Sequence, residues 1–492
     1  MINKYLIILF LLIFGTSCMF LYTLEAQEEL RDGGLRLSLV DVTKIALRNN
    51  IDIKIARFDT LIKEQDLDDS KSIFDTVLDS SIGYEVDSRK RASTLSGTKT
   101  TTTDFDLGLE KKLETGTTVG ADFSVGRDTS DSAFAAVNPS YEPEVGFSIK
   151  QEFGRNFFGI TDRGEVAITR LDIENVTEKS LDAIEDSIAS AQKAYWEVAL
   201  AKERRKIKED MLKRAQDLLK ANEGRFDMGS VEETDLLASK ANAEQRKSDL
   251  LVAEDEAKSK VEELLLILNL EAGIPLTLKD DLDIEGSGRA DLKLSMNNAI
   301  ESRRDYKRSK NEIESNKIKI KMKRTDLWPQ LDLEGTLAVN GLDEKYNDSL
   351  KDVTRDNYKY YIGINVSMPL ENREARSAYE KAKLEKAKAI VSLQQVERKI
   401  LTDIDKRVRA VNVALNVLEH QMLVEGYQSN KLDEEMQKYN RGRSDTDTLV
   451  RFQEHLLTAQ LATAQAALGY KTAIIDLAAT EDTLLQKAEG AR

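Results

Sequence analysis

Tyr358-Lys359-Tyr360-Tyr361-Ile362-Gly363-Ile364-Asn365-Val366-Ser367-Met368 is the stretch that decides the fold. Tyr358, Tyr360, Ile362, Ile364, Val366 and Met368 recur at period two. Lys359, Gly363, Asn365 and Ser367 occupy the alternate positions, with Tyr361 the exception. Such alternation marks a strand with one apolar and one wet face. Two environments produce it. One is a soluble antiparallel sheet lying on a core. The other is a tilted membrane strand of about 9–11 residues, with one side to lipid and the other to a water-filled lumen.

The pattern recurs. In Leu331–Asn340, Leu331, Leu333, Leu337 and Val339 face one way, and Asp332, Glu334, Thr336 and Asn340 the other. Far upstream, Leu78, Ile82, Tyr84 and Val86, then Val145, Phe147 and Ile149, repeat the scheme. Between those two lies a further hairpin. Phe105–Leu109 and Val119–Val125 alternate around Glu114-Thr115-Gly116. It either widens a barrel or projects outside the cell, and the sequence does not choose.

These segments sit in two copies of one plan. Leu39-Val40-Asp41-Val42-Thr43-Lys44-Ile45-Ala46 aligns with Leu292-Lys293-Leu294-Ser295-Met296-Asn297-Asn298-Ala299, and Asp52 aligns with Asp305. Each copy then runs helix, strands, very long helix, glycine-centred turn, helix. The strands are expected at about 76–153 and 331–369. The turns are expected at 224–230 and 440–444. The first repeat is placed at 37–271 and the second at 292–485. Residues 272–291 lie between them, and 486–492 form a tail. The period far exceeds a solenoid unit, so the pattern indicates duplication.

The long helices, expected over Glu165–Asn222 and Ala375–Tyr439, would each extend roughly 87 to 97 Å at 1.5 Å per residue. Only five prolines in 492 residues leave room for them. Leu393, Val396, Ile400, Ile404, Val408, Val411, Leu415, Leu418 and Met422 follow the three-four spacing of a coiled-coil seam. A soluble coiled-coil scaffold explains that stripe equally well. It does not explain strands inserted twice at matching positions.

Composition removes other classes. A net charge of -15 with no basic tract argues against nucleic acid. Cys18 is the single cysteine and His420 and His455 are the only histidines, so the inventory for a metal or nucleophilic centre is nearly empty. Carboxylates are spread along helical faces, and no phosphate-binding Gly-rich loop appears. Residues 1–26 read as a signal peptide, with Lys4 before the apolar Tyr5–Phe14 run and cleavage after Ala26. Two other readings of this leader stand: acylation of Cys18, and a retained anchor helix. Beyond it no apolar run reaches the ~20 residues of a spanning helix, so any crossing must use β-strands.

The ordered set of features resembles the TolC-like outer-membrane efflux proteins. The motifs that carry the resemblance are Ala46-Leu47-Arg48-Asn49-Asn50, Trp328-Pro329-Gln330-Leu331, Arg225-Phe226-Asp227-Met228-Gly229-Ser230 and Tyr439-Asn440-Arg441-Gly442-Arg443-Ser444. It covers about 37–485. The resemblance implies a mainly α protein with membrane β-structure, a homotrimeric duct. Its strands would share one twelve-stranded outer-membrane barrel, leaving the extra hairpin unplaced. Its helices would form a periplasmic tunnel, belted by residues 272–289 and the C-terminal tail. It further implies a passive exit duct of a tripartite efflux or type I secretion system. The partners would be a periplasmic adaptor, an inner-membrane RND or ABC transporter, and outer-membrane lipid, with no cofactor. The alternative reading is a non-transporting periplasmic or surface coiled-coil scaffold.

Site residues carry over position by position. Met228, Gly229, Arg441, Gly442 and Arg443 would form adaptor-docking tips, although glycines that merely end helices would look the same. Asp235 and Tyr439 fall where the family has a hydrogen bond that closes the tips. The family's linking arginine falls on Ser444, beside Arg443. Its two inward acidic residues fall on Thr448 and Arg451. Asp445, Asp447, Thr448 and Arg451 are therefore the pore-constriction candidates, with solvated surface charge as the plainer reading.

Overall fold

In a computed structural model of the chain, residues 35–90, 97–282, 288–354 and 356–490 are described. The expected signal peptide and Cys18 lie outside them. The described residues divide into two compact units, one lying within residues 1–58, 179–304 and 397–492 and the other within residues 59–178 and 305–396. Each is built from both repeats. The long helices carry each repeat through both units.

The first unit opens on β1 (Leu35–Leu37) and α1 (Leu39–Asn49). The Ser38 side chain accepts from the Asp41 backbone N–H, and the Asp41 carboxylate accepts from that of Ser38, which caps α1 at its start. Then come α2 (Ile51–Lys71), α3 (Ile160–Asp227), α4 (Glu233–Ile267), β6 (Leu276–Leu278), α5 (Leu292–Ser302), α6 (Arg304–Thr325), α8 (Arg373–Asn440), α9 (Thr446–Thr480) and α10 (Leu484–Gly490), some of which continue into the second unit. Repeat-related helices agree in length. α1 and α5 have 11 residues each, α3 and α8 have 68 each, and α4 and α9 have 35 each, while α2 has 21 and α6 has 22. Ala46 and Ala299, matched in the sequence, are both fully buried.

The seam expected along α8 is buried from Ile400 through Leu418, but Met422 is 48% exposed. From there Leu423, Val424 and Tyr427 also face outward in the single chain. The described residues between the repeats are tied down. β6 pairs in parallel with β1. Ala290 exchanges backbone bonds of 3.0 and 3.2 Å with the Asn412 amide, and Tyr470 donates to the Gly288 carbonyl at 3.1 Å. The core here joins Leu37, Val42, Tyr195, Leu264, Leu268, Leu276 and Ile475.

Beside this core Arg304 is enclosed by carboxylates. Its guanidinium is 2.5 Å from Glu185 and 3.8 Å from Asp482, and its backbone N–H donates to Asp482 at 2.8 Å. Burial opposes the Arg304 charge, yet the Glu185 bond and the surrounding acids hold its pKa above the ordinary value. Burial pushes the Asp482 carboxyl up to about 6.

The second unit holds a six-stranded sheet ordered β2 (Thr76–Asp87), β3 (Thr100–Lys112), β4 (Thr117–Ser130), β5 (Ser140–Glu152), β7 (Gln330–Asn340) and β8 (Tyr358–Ser367). Every neighbouring pair is antiparallel. The extra hairpin is thus not appended. Its strands β3 and β4 sit inside the sheet between β2 and β5. A short helix α7 (Tyr346–Asp352), not anticipated from the sequence, lies in the β7–β8 connection, where Tyr346 packs edge-on against Tyr141 at 6.1 Å. No helix among the described residues is long and apolar enough to cross a membrane.

The Asp482 site yields a pH prediction. An unfolded aspartate titrates near ~3.9. Between there and about 6 the folded chain keeps a proton that the unfolded chain has lost. Stability from this group is therefore full below the unfolded value and lost as pH rises through about 6, by at most ~3 kcal/mol. Thermal unfolding of Asp482→Asn should show a smaller drop between pH 4 and pH 7 than the parent chain. An unchanged drop would assign that dependence to other groups.

Candidate functional site

The two glycine turns of the first unit are built alike. At the end of α3, Gly229 N–H donates to the Phe226 carbonyl at 2.8 Å and Ser230 N–H to that of Arg225 at 2.8 Å. At the end of α8, Gly442 donates to Tyr439 at 3.0 Å and Arg443 to Lys438 at 2.9 Å. Both are Schellman caps, with the glycine left-handed at φ 68° and 71°. A Cβ at either position would meet nothing within 4 Å. The turns are therefore open surface with a strict backbone requirement. Met228 stands 73% exposed beside the first, and Arg441 and Arg443 are exposed beside the second.

Behind these turns the expected Tyr439–Asp235 bond is replaced. Tyr439 is buried and its hydroxyl donates to Asn222 Oδ1, not to Asp235. Asp235 lies in the first turn of α4, where its carbonyl accepts from the Ser239 hydroxyl. The fully buried Asn222 instead ties α3 to three other helices. Its amide donates to Ser239 Oγ at 3.2 Å and to Thr446 Oγ1 at 3.1 Å. Arg225 stacks over the Tyr439 ring at 4.3 Å and reaches the Tyr439 carbonyl. Farther along, Asn242 meets Gln453 and Arg246 pairs with Glu454. Asn222 was missed because a lone asparagine in a long polar helix reads as solvated. Its one available signal was position, a turn before the Arg225-Phe226 motif.

Of the constriction candidates, Asp445 is the N-cap of α9, accepting from Thr448 N–H at 2.7 Å, and that bond holds its carboxyl below the usual carboxylate range. Arg451 contacts the Thr448 hydroxyl at 3.4 Å and lies over Phe452 at 5.9 Å. Asp447 and Arg451 are exposed. Ser444, at the position of the family's arginine, donates to Glu435 at 2.6 Å.

The second unit carries the other functional surface. The register places Leu78, Ile82 and Tyr84 beside Leu109, Phe105 and Thr103, and these beside Ala121, Val125 and Arg127. It continues through Val145, Phe147 and Ile149 to Val339, Leu337 and Gly335, and ends on Tyr358, Tyr360 and Ile362. One face is thus mainly apolar on all six strands, with Thr103, Lys111, Arg127 and Gln151 among its polar residues, and much of it is bare, with Ile82 at 78% and Ile362 at 75% exposure. The opposite face is polar and mostly acidic, with Asp79, Asp106, Asp122, Glu144 and Glu334 among its residues. At one end Lys150 pairs with the buried Asp332 at 3.1 Å. In the single chain β2 and β8 are the sheet's edges.

An open six-stranded antiparallel sheet with contrasting faces, in one chain with two helices of 68 residues, defines a mixed α/β fold class. Residues 296–480, most of the second repeat, match the outer membrane efflux protein family. No curated protein matches the chain in sequence. Among solved structures, the CmeC outer membrane channel of Campylobacter jejuni superposes at TM-score 0.62 with 16% identity, covering 90% of this chain and 85% of that one. The outer membrane protein VceC of Vibrio cholerae gives 0.64 and 13%, covering 90% and 96%. The open state of the MtrE outer membrane channel of Neisseria gonorrhoeae gives 0.65 and 14%, covering 90% and 88%. The chain is thus TolC-like in fold over about nine-tenths of its length, and its residues 296–480 are similar in sequence to the outer membrane efflux protein family.

Tyr439→Phe removes the donor to Asn222 Oδ1 and leaves a buried acceptor unpaired, a local cost of about 1–3 kcal/mol. Amide exchange around residues 218–226 and 436–446 should quicken while the β1–β6 region stays protected. Unaltered exchange at the turns would show that this bond does not hold them.

Proposed function

We propose that three copies of this chain assemble into a passive outer-membrane exit duct extending into the periplasm. The observation that carries the reading is the six-stranded sheet with one mainly apolar face and two open edges. In lipid, unpaired strand edges cost several kcal/mol per group, so the sheet must close on copies of itself. The strands alternate in direction, so β8 of one copy meets β2 of the next in antiparallel sense, as a barrel requires. The second unit supplies the apolar wall. The first unit, with outward-facing Leu423, Val424 and Tyr427 on α8, supplies helices that pack on those of neighbouring copies.

The duct has no chemistry of its own. Energy comes from an inner-membrane RND or ABC transporter, joined through a periplasmic adaptor as in tripartite efflux or type I secretion. The open Schellman turns are the adaptor's footing: Met228 and Gly229 on one, Arg441, Gly442 and Arg443 on the other. The Tyr439–Asn222 bond holds them closed until the adaptor engages. Asp447 and Arg451, with Thr448 and the capping Asp445, line the approach. An acidic lumen face favours cations over anions.

Two outcomes test this. The full chain should fractionate with outer membrane and crosslink as trimers in detergent; a monomer that still conducts ions would contradict it. Gly442→Leu forces a branched side chain into left-handed backbone at a cost of order 1 kcal/mol. It should abolish export while trimers persist. Normal export by that variant would remove docking from this turn.

A further inference from the structure

We infer that the hairpin β3–β4 makes this duct's barrel eighteen-stranded, half again as wide as the twelve-stranded barrel the family resemblance implies. The inference rests on the trimeric duct reading. It adds what the hairpin does.

Three observations place the hairpin in the wall. The ladder is unbroken on both of its sides. β2 pairs with β3 from Thr76↔Lys111 to Asp87↔Thr100, and β4 pairs with β5 from Thr117↔Gln151 to Asp128↔Ser140. β3 and β4 have 13 and 14 residues, as long as β2 with 12 and β5 with 13, so the hairpin is no short insertion riding on a rim. The apolar face also continues through it in phase, with Phe105, Leu107, Leu109, Phe123 and Val125 on the side of Ile82 and Phe147. A one-residue slip would turn every one of these to the wet side.

The hairpin's turn is moreover fastened to the start of α3. Gly116 takes φ 71°, and a Cβ there would lie 2.8 Å from the Gly159 nitrogen. A Cβ on Gly159 would lie 2.2 Å from the Glu114 carbonyl oxygen. Two backbones therefore touch where only glycines fit. Lys112 adds an ion pair of 2.8 Å to Asp162 at the first turn of α3 and one of 3.7 Å to Glu152. Asp162 also accepts from the Asn156 amide at 2.7 Å, and Asn156 is itself left-handed at φ 59°. A segment that projected beyond the membrane would need no such seat.

Three copies of a six-stranded sheet give eighteen strands, an even number, as single-walled antiparallel barrels require. With strands ~4.8 Å apart and tilted ~40°, the backbone radius is about 18 Å, against about 12 Å for twelve strands. Barrels of 16–18 strands leave a water-filled channel. The hairpin also adds Asp104, Asp106, Glu110, Asp122 and Asp128 to the lumen side, against the single Lys112. The exit it builds is wide, wet and negatively charged. Cargo is then sorted by size upstream of the barrel, and inside it by charge, with cationic solutes favoured.

Cryo-electron microscopy of the full chain in lipid nanodiscs tests the strand number. Eighteen strands around the axis are expected. A trimeric barrel of twelve, with residues 98–131 outside the wall, overturns this inference and leaves the duct intact. Particles without a barrel overturn both. Thiol labelling in liposomes gives a second reading, with the parent chain as the blank. Ser124→Cys, on the lumen side of β4, should react with water-soluble methanethiosulfonates, at least several-fold faster with a cationic than an anionic reagent. Val125→Cys, one residue on, should be protected. Equal reactivity at the two positions would put the hairpin outside the wall.

Discussion

Everything in this molecule depends on backbone hydrogen bonding where water is absent. A strand in lipid cannot leave its N–H and C=O groups unpaired, so in the proposed duct the six-stranded sheet continues into another copy of itself. The single chain displays that demand openly. Its apolar face is bare, and its two edge strands are long and carry no proline or bulge of the kind that soluble proteins use to blunt an edge. Ile82, Tyr84, Ile362 and Ile364 would be aggregation hazards in water. In a bilayer they are the wall.

The helical unit meets the same requirement by other means. Every α-helix bonds its own backbone, so only its ends and faces need partners. The faces are met by the seam from Ile400 to Leu418 and by the Leu37–Tyr195–Leu264 core. The ends are met by two Schellman turns of one geometry. Equal helix lengths in the two repeats keep those turns equivalent, so that one duplicated plan gives four helices with matched ends. The polar seam of Asn222, Ser239, Thr446 and Tyr439 then lies just behind them, where a bond can hold the turns without obstructing their surface.

How much of this was legible in the sequence follows from the range of each interaction. Period-two alternation is local, so Gln330–Asn340 and Tyr358–Ser367 emerged within a residue or two of their expected limits. Left-handed glycines are local as well, and Gly229 and Gly442 stand where helix-reversal logic put them. The duplication survived because helix length and buried alanine spacing are set by packing. What escaped was pairing at a distance. The place of β3 and β4 in the sheet depends on partners chosen across the fold, and a hairpin's alternation is the same whether it pairs outward or not. The Tyr439 partner escaped too. The family pattern pointed to Asp235, whereas this chain uses Asn222 from the end of α3. Asp445, a pore-charge candidate with solvated surface charge as the plainer reading, is also a helix cap, standing three residues before the Thr448 N–H that it accepts from.

In the proposed duct, alternate residues of the sheet face lipid and water. This can be read at an edge strand with a single fluorophore. In a chain with Trp196→Phe and Trp328→Phe, a tryptophan is placed at Ile362 or at Tyr361 and the protein is reconstituted with brominated lipids. Strong quenching is expected at residue 362 and weak quenching at residue 361. Equal quenching at both, or none at either, would contradict that arrangement.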